Sequence, residues 1–285
     1  MRLRSPAWLI APYGAALAIL LLVPICVLVG VSFATYAPSR LWDPIFTLGN
    51  YGRLADGFYA DMLWRTLRIA ASATLITAVV AYPLAYFLAR CEAWFAPVGI
   101  FMLVVPLMVS TVIRSFGWIV LLGRDGPLIK LLGLLGVTVH GDFLYSELAV
   151  QLGLIQILLP LMTLPLLAAI ERIPLRAEEA AASLGASPLR VFFMVIVPLS
   201  KPGLASGAVL CFTVSLSVVI TPELLGGRKV RMAGNFIYEQ VLSAFNWPFA
   251  ASIANILAVI SMACMILLIA HLRRRHASQN GGAHA

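Results

Sequence analysis

Charge is scarce in this 285-residue chain. Asp, Glu, Lys and Arg together make up 11% of it, less than half of the about 25% that coats an ordinary globular domain. With 61% hydrophobic residues and a mean hydropathy of +0.97, twelve carboxylates and twenty Lys/Arg cannot solvate a soluble globule. That shortage excludes a soluble enzyme and a disordered chain. Cysteine is scarce too. Cys26, Cys91, Cys211 and Cys264 show no C-x-x-C spacing, which excludes a disulfide scaffold, and three lie in apolar runs, as small buried hydrophobes do. His140, His271, His276 and His284 lack metal-ligand spacing, so no metal is expected. The net charge of +8 and pI near 9.7 do not mark a nucleic-acid binder, because the basic residues are scattered between apolar spans. The chain is an integral membrane protein.

A helix needs roughly 20 mostly apolar residues to cross the hydrocarbon core. Six stretches qualify, near residues 8–33, 63–89, 97–122, 148–171, 203–222 and 250–272. The first follows Arg2 and Arg4 like a signal peptide, but its apolar region is too long for one. The sequence therefore predicts an all-α, six-helix membrane protein, a single transmembrane domain over 1–285, with both termini on the same side. Placing the termini in the cytoplasm puts Arg2, Arg4, Arg90, Arg172, Arg176, Arg190, Lys201, Arg273, Arg274 and Arg275 inside. Half of the basic residues then share the shorter loops, the denser side that the positive-inside rule favours. Of the long outer loops, residues 123–147 contain PLIKLLGLL, an amphipathic stretch suited to the membrane interface. Trp42, Trp118 and Trp247, with Tyr36 and Tyr145, fall near outer boundaries, as an aromatic belt does.

One segment, 173–201, is too polar for its neighbours. Pro174 suits a first helical turn, and Ala177, Ala180, Ala181 and Leu184 fall at i, i+3, i+4 and i+7, a face of mostly small side chains. Glu178 and Glu179 sit early, where the helix dipole favours carboxylates. Gly185 is placed to end the helix in a left-handed turn, and Ser187-Pro188 reads as the N-cap and first turn of a second helix. Pro198 and Pro202 are expected to close it. A small-faced helix ahead of a glycine elbow suits docking into a groove of another protein; the plainer alternative is an interfacial helix.

These residues carry a resemblance. Glu179-Ala180-Ala181, three residues, Gly185, and Pro198 thirteen further on resemble the EAA loop of ABC-importer permeases, E-A-A-x3-G-x9-I-x-L-P, with Val195 and Val197 as conservative departures. Asn50-Tyr51, the run from Tyr82 to Tyr86 ending at Arg90, Arg114-Ser-Phe-Gly-Trp118, Leu224-Leu225-Gly226-Gly227, Gly234-Asn235 and Asn246-Trp247-Pro248 are similar to permeases of the spermidine/putrescine type, B-type subunit. The resemblance implies a type I importer permease in the bacterial inner membrane. It implies a cytoplasmic ATPase dimer that binds ATP and Mg, a second permease chain, and a periplasmic solute-binding protein. It implies that Glu178, Glu179, Ala180, Ala181, Gly185 and Pro198 belong to the coupling loop, with Glu179 facing a basic residue of the ATPase. The substrate it implies is a polyamine, with another small amine, an amino acid or an aminophosphonate as the alternative. No G-x-x-x-x-G-K-[ST] phosphate loop occurs, so this chain is not the ATPase and needs no cofactor of its own.

Ionisable and polar residues at membrane depth are the candidates for the solute path. Glu223 follows Thr221-Pro222 at the outer end of the fifth span, where a proline frees backbone carbonyls. Its carboxylate suits a cation, or else it is an interfacial loop charge. Arg114, two-thirds along the third span, either faces the path or is structural, pairing with Glu147 or snorkelling outward. Asn255, Gln151 and Gln156 either line a path or bond a neighbouring helix. Gly203 and Gly207 form G-x-x-x-G, a face for close helix packing. Two other functional classes compete with this one. A membrane enzyme needs a catalytic set at one depth, yet Asp43, Asp56, Asp61, Asp125 and Asp142 lie outside the spans and no Ser–His pair shares one. A secondary transporter needs no ATPase and leaves the EAA-like helix unexplained.

Overall fold

The computed structural model describes residues 7–38, 40–134 and 143–280. Helix dominates because in hydrocarbon each backbone N–H and C=O must be satisfied within its own segment. In chain order the elements are α1 (Ala7–Ser32), a short antiparallel pair β1 (Thr35–Ala37) and β2 (Leu41–Asp43) with Tyr36 opposite Trp42, α2 (Gly49–Arg53), α3 (Gly57–Arg90), α4 (Phe95–Met108), α5 (Thr111–Leu122), α6 (Pro127–Leu134) and α7 (Glu147–Glu171). The polar segment supplies α8 (Leu175–Ser183), α9 (Pro188–Val191), a π turn over Phe192–Ile196, and α10 (Val197–Leu199). Then come α11 (Lys201–Ser217), α12 (Ile220–Gly226), α13 (Ala233–Leu242) and α14 (Trp247–Asn280). The expected interfacial stretch is α6; His140, Asp142, Arg2 and Arg4 lie outside the described residues.

Among the described residues, α3, α7 and Trp247–Leu267 of α14 are each long and apolar enough to cross a membrane. Two bent pairs bring the number to as many as five. Two breaks, one inside the expected third span and one inside the expected fifth, correct the expectation of unbroken helices there. The third span is broken, with Phe95–Met108 and Thr111–Leu131 at 97°, because Val109 leaves the helix with ψ 134°. The fifth stops at Ser217 and Val218 is extended, ψ 128°. Pro222, four residues on, has no N–H to give the Val218 carbonyl, so the ladder opens there. The helix over Pro188–Leu199 meets α11 at 69°, and it runs through Pro198 instead of closing at it. Pro198 removes the donor for the carbonyl four residues back, and the backbone widens just before it: the Val197 N–H reaches the Phe192 carbonyl, five back.

The chain divides into two compact units. In the first, Met1–Ala60 with Phe236–Val259, Asn50 holds the end of α1. Its Nδ2 donates to the Ser32 and Ala34 carbonyls at 2.9 Å each, groups that a helix C-terminus leaves without partners. The Tyr51 hydroxyl lies 2.8 Å from Ser32 Oγ, and its ring packs 5.1 Å from Phe33. The resemblance-bearing Asn50-Tyr51 is thus a corner brace.

In the second unit, Asp61–Asn235 with Ile260–Ala285, α7 is the hub. Leu154, Leu158, Met162, Leu166 and Ile170 are fully buried. The two glycines of G-x-x-x-G let α11 lie against it. A Cβ on Gly203 would stand 2.5 Å from Ala169 Cβ and 2.6 Å from the Pro165 carbonyl, and one on Gly207 would stand 2.8 Å from Met162 Sδ. Buried hydroxyls are satisfied locally: Thr74, Thr77, Thr163 and Ser215 each donate to the carbonyl four residues back at 2.7 Å. The two glutamines serve packing too: Gln151 Nε2 donates to Ser72 Oγ at 2.9 Å, and Gln156 Oε1 accepts from Trp118 Nε1 at 2.6 Å. Only Cys211 of the four cysteines is buried, whereas Cys26 and Cys264 are exposed. The expectation of burial fails there because an apolar run in a membrane helix can face lipid as readily as core.

Candidate functional site

Helix α8 stands apart from the packing described above. Pro174 precedes it as N-cap, so the helix starts one residue later than the proline alone indicates, and none of its residues is buried. Leu184, its C-cap, is 90% exposed. Gly185 follows at φ +84°, the left-handed region in which a glycine carries no Cβ penalty. Its N–H donates to the Ala182 carbonyl at 2.9 Å and the Ala186 N–H to the Ala181 carbonyl at 3.1 Å, which closes the last turn. The Ser187 hydroxyl then accepts from the Arg190 N–H at 3.4 Å, with Pro188 in the first turn of α9. Glu179, Ala180 and Pro198 are exposed and Ala181 is half-buried.

The adjacent carboxylates face different surroundings. Glu179 is exposed. Glu178 turns inward: its Oε1 accepts from Arg90 Nε at 2.8 Å and lies 2.6 Å from the other guanidinium nitrogen, and its Oε2 accepts from the Tyr86 hydroxyl at 2.9 Å. The same guanidinium donates to the Ile173 carbonyl at 3.0 Å and the Ile170 carbonyl at 3.3 Å, so Arg90 also caps the C-terminus of α7, where a cation is favoured. Tyr86 stacks edge-on against Phe192, 5.5 Å between centroids, and Tyr82 does the same at 5.8 Å. Sequence reasoning placed Glu178 with Glu179 and missed its partners. The available signal was Tyr86 and Arg90 at i and i+4, one helix face at the end of a span.

Of the other candidates, Glu223 is exposed at the start of α12, and its Oε2 accepts from Asn235 Nδ2 at 2.6 Å. Beside it, Thr221 Oγ1 and Asn235 Oδ1 are buried with no hydrogen-bond partner among the described residues. Gly234 makes room for this approach, since a Cβ there would stand 2.8 Å from the Val218 carbonyl. Arg114 does not meet Glu147, which pairs instead with Arg68 and Arg65. Its guanidinium donates to the Pro106 carbonyl at 2.9 Å and toward Thr111 Oγ1 at 3.4 Å, so it spans the break between α4 and α5. Asn255, in the first unit, donates to the Tyr51 hydroxyl at 3.3 Å. At Leu225–Gly227 the resemblance also has a geometric basis: the Leu225 carbonyl accepts from the Tyr145 N–H at 2.9 Å, and Gly227, at φ +52°, leaves room for the Tyr145 ring.

Comparison with known proteins gives concordant results. Residues 72–277 match the sequence family described as binding-protein-dependent transport system inner membrane component. The chain is 35% identical over 250 residues to the spermidine/putrescine transport system permease protein PotB of Haemophilus influenzae, covering 87% of this chain and 86% of the relative. Identity to PotB of Escherichia coli is 35% over 253 residues, 88% and 92% of the two chains. The fold is similar to that of a bacterial alginate ABC transporter solved in complex with an alginate pentasaccharide-bound periplasmic protein, with a TM-score of 0.75, 17% identity, and coverage of 94% and 93%.

Proposed function

The chain belongs to the family of binding-protein-dependent transport system inner membrane components, and we propose that it forms half of the solute pathway of an ATP-driven polyamine importer. It is a permease, not an enzyme, and resides in the inner membrane. Spermidine or putrescine is the substrate favoured by the 35% identity to PotB across nearly the whole of both chains. A secondary transporter, left open by the residues alone, does not fit membership in this family.

The single observation that carries the coupling role is α8, a helix with no buried residue that ends in an almost fully exposed Leu184 and a left-handed Gly185. A monomer gains nothing by displaying such a helix; a partner cleft does. In our reading 173–201 is the cytoplasmic coupling loop, and Glu179, Ala180 and Ala181 meet one ATPase of a dimer that holds ATP and Mg. A second permease chain completes the pathway, and a periplasmic binding protein delivers the solute. Six spans then run through α1, α3, the broken pair α4–α5, α7, α11 with α12, and α14, with both termini cytoplasmic and 1–285 forming one permease domain. Closure of the ATPase dimer swings α8 and rocks the helices between inward-open and outward-open, a rigid-body switch.

For the path itself Glu223 is the favoured group. Its carboxylate, with the partnerless oxygens of Thr221 and Asn235 nearby and the Val218 carbonyl freed by Pro222, forms a set of acceptors suited to an alkylammonium. Arg114 and Asn255 are committed to protein partners, and we place them in the scaffold. The test is ATP-driven uptake of radiolabelled spermidine into proteoliposomes containing this chain with its native partner subunits and binding protein. Uptake that requires both ATP and the binding protein is expected. ATP-dependent uptake of an amino acid or an aminophosphonate, with none of spermidine or putrescine, would refute the polyamine assignment.

A further inference from the structure

We infer that Arg90, Glu178 and Tyr86 form the rigid link through which movement of α8 reaches the membrane helices, so that Glu178 and Arg90 are positioning residues for coupling and Glu178 does not belong to the ATPase-docking face. The inference rests on the reading of α8 as the docking helix. A helix pushed by a partner transmits work only if it is fastened to what must move; on a loose tether it shifts by itself.

Among the described residues, Glu178 is the one side chain of α8 that hydrogen-bonds or ion-pairs with another element. Arg90 and Tyr86 lie one turn apart at the end of α3, and both carboxylate oxygens are engaged by them. Through Arg90 the junction takes in the Ile170 and Ile173 carbonyls at the end of α7. Three elements thus meet on one guanidinium. The pair is poorly accessible to water, with side-chain exposures of 17% and 13%, so salt screens it weakly. The link also continues toward α11. Phe192 packs under Tyr82 and Tyr86, and the Tyr82 hydroxyl lies 2.8 Å from Ser200 Oγ, immediately before α11. Displacement of α8 is therefore shared by α3, α7 and the entry to α11; α7 also packs closely on α11 and is hydrogen-bonded to α3 through Gln151 and Ser72.

The test uses the complete transporter in proteoliposomes, reading ATPase co-purification and ATP hydrolysed per radiolabelled spermidine taken up. Glu178→Gln keeps the shape and removes the charge. We expect it to retain the ATPase but to hydrolyse roughly ten-fold more ATP per spermidine, the scale on which losing a hydrogen bond to a charged group shifts an equilibrium. Arg90→Lys is expected to recover part of the ratio. The double variant Glu178→Gln/Arg90→Met leaves no buried unpaired charge and guards against misfolding; it too is expected to be uncoupled. A wild-type ratio in Glu178→Gln and in the double variant would overturn the link, as would loss of the ATPase from Glu178→Gln to the same extent as from Glu179→Gln. Retention of the ATPase by both Glu179→Gln and Gly185→Val would instead overturn the docking role of α8, and the link with it.

Discussion

Gly185 separates backbone strain from docking. It lies at φ +84°, and nothing stands within 4 Å of where a Cβ would be. Inside this chain a side chain at 185 therefore has room, and the cost of adding one is conformational. An L-residue in the left-handed region costs about 1–2 kcal/mol, Asn less than Ala because its short polar side chain bonds locally, and a β-branched residue more. A cost of one or two kcal/mol shifts a conformational equilibrium by a factor of roughly 5–30. Gly185→Ala and Gly185→Asn should both insert and purify. If strain alone mattered, Asn would function better than Ala. If the elbow enters a cleft of the ATPase, the longer side chain has to be accommodated there, and the order reverses. We expect ATPase retention in mild detergent, and ATP-driven uptake normalised to membrane levels, to fall from Gly to Ala to Asn, with Gly185→Val inactive yet present in the membrane. Asn outperforming Ala, or Val transporting normally, would refute the docking of this elbow.

Gly203→Val would drive its side chain into the Ala169 side chain and the Pro165 backbone, and overpacking of that kind costs about 1–3 kcal/mol; a lowered melting temperature in detergent is the expected reading, and an unchanged one would mean α7 and α11 are not held at this spacing. Arg114→Met takes the donor from the Pro106 carbonyl, so stability should fall while the apparent KM for spermidine stays put; a raised KM at unchanged stability would place Arg114 in the path. Glu223→Gln should raise the KM for spermidine and leave melting unaltered, since the amide oxygen can still accept from Asn235; uptake with unchanged KM and rate would remove Glu223 from the path.

Much of the fold is legible in the sequence because a membrane makes the apolar pattern explicit. The stretches 8–33 and 148–171 match α1 and α7 within a residue or so at each end, and the elbow at Gly185 follows from glycine chemistry and the helix ahead of it. The breaks were less legible. An apolar stretch reads alike whether straight or bent, and only Pro222, four residues beyond the freed Val218 carbonyl, hints at the second one. At the first, the Arg114 guanidinium holds a carbonyl eight residues back across a turn that hydropathy cannot register. The division of labour between Glu178 and Glu179 was illegible for another reason. Neighbouring carboxylates on a short helix differ by about 100° in direction, from 3.6 residues per turn, and which one faces the protein depends on Arg90, almost ninety positions away in the chain. Exposure of Cys26 and Cys264 shows the same limit, since the pattern distinguishes membrane from water but not lipid from protein.

The most direct test of the central claim is purification of the tagged chain in mild detergent from cells expressing its native neighbours, with mass spectrometry of what accompanies it. We predict a P-loop ATPase and a second permease chain in comparable amounts, both retained at the wild-type Gly185 and the ATPase lost from Gly185→Val. Recovery of this chain alone would contradict the assignment of α8 as the docking helix of an ATP-driven importer.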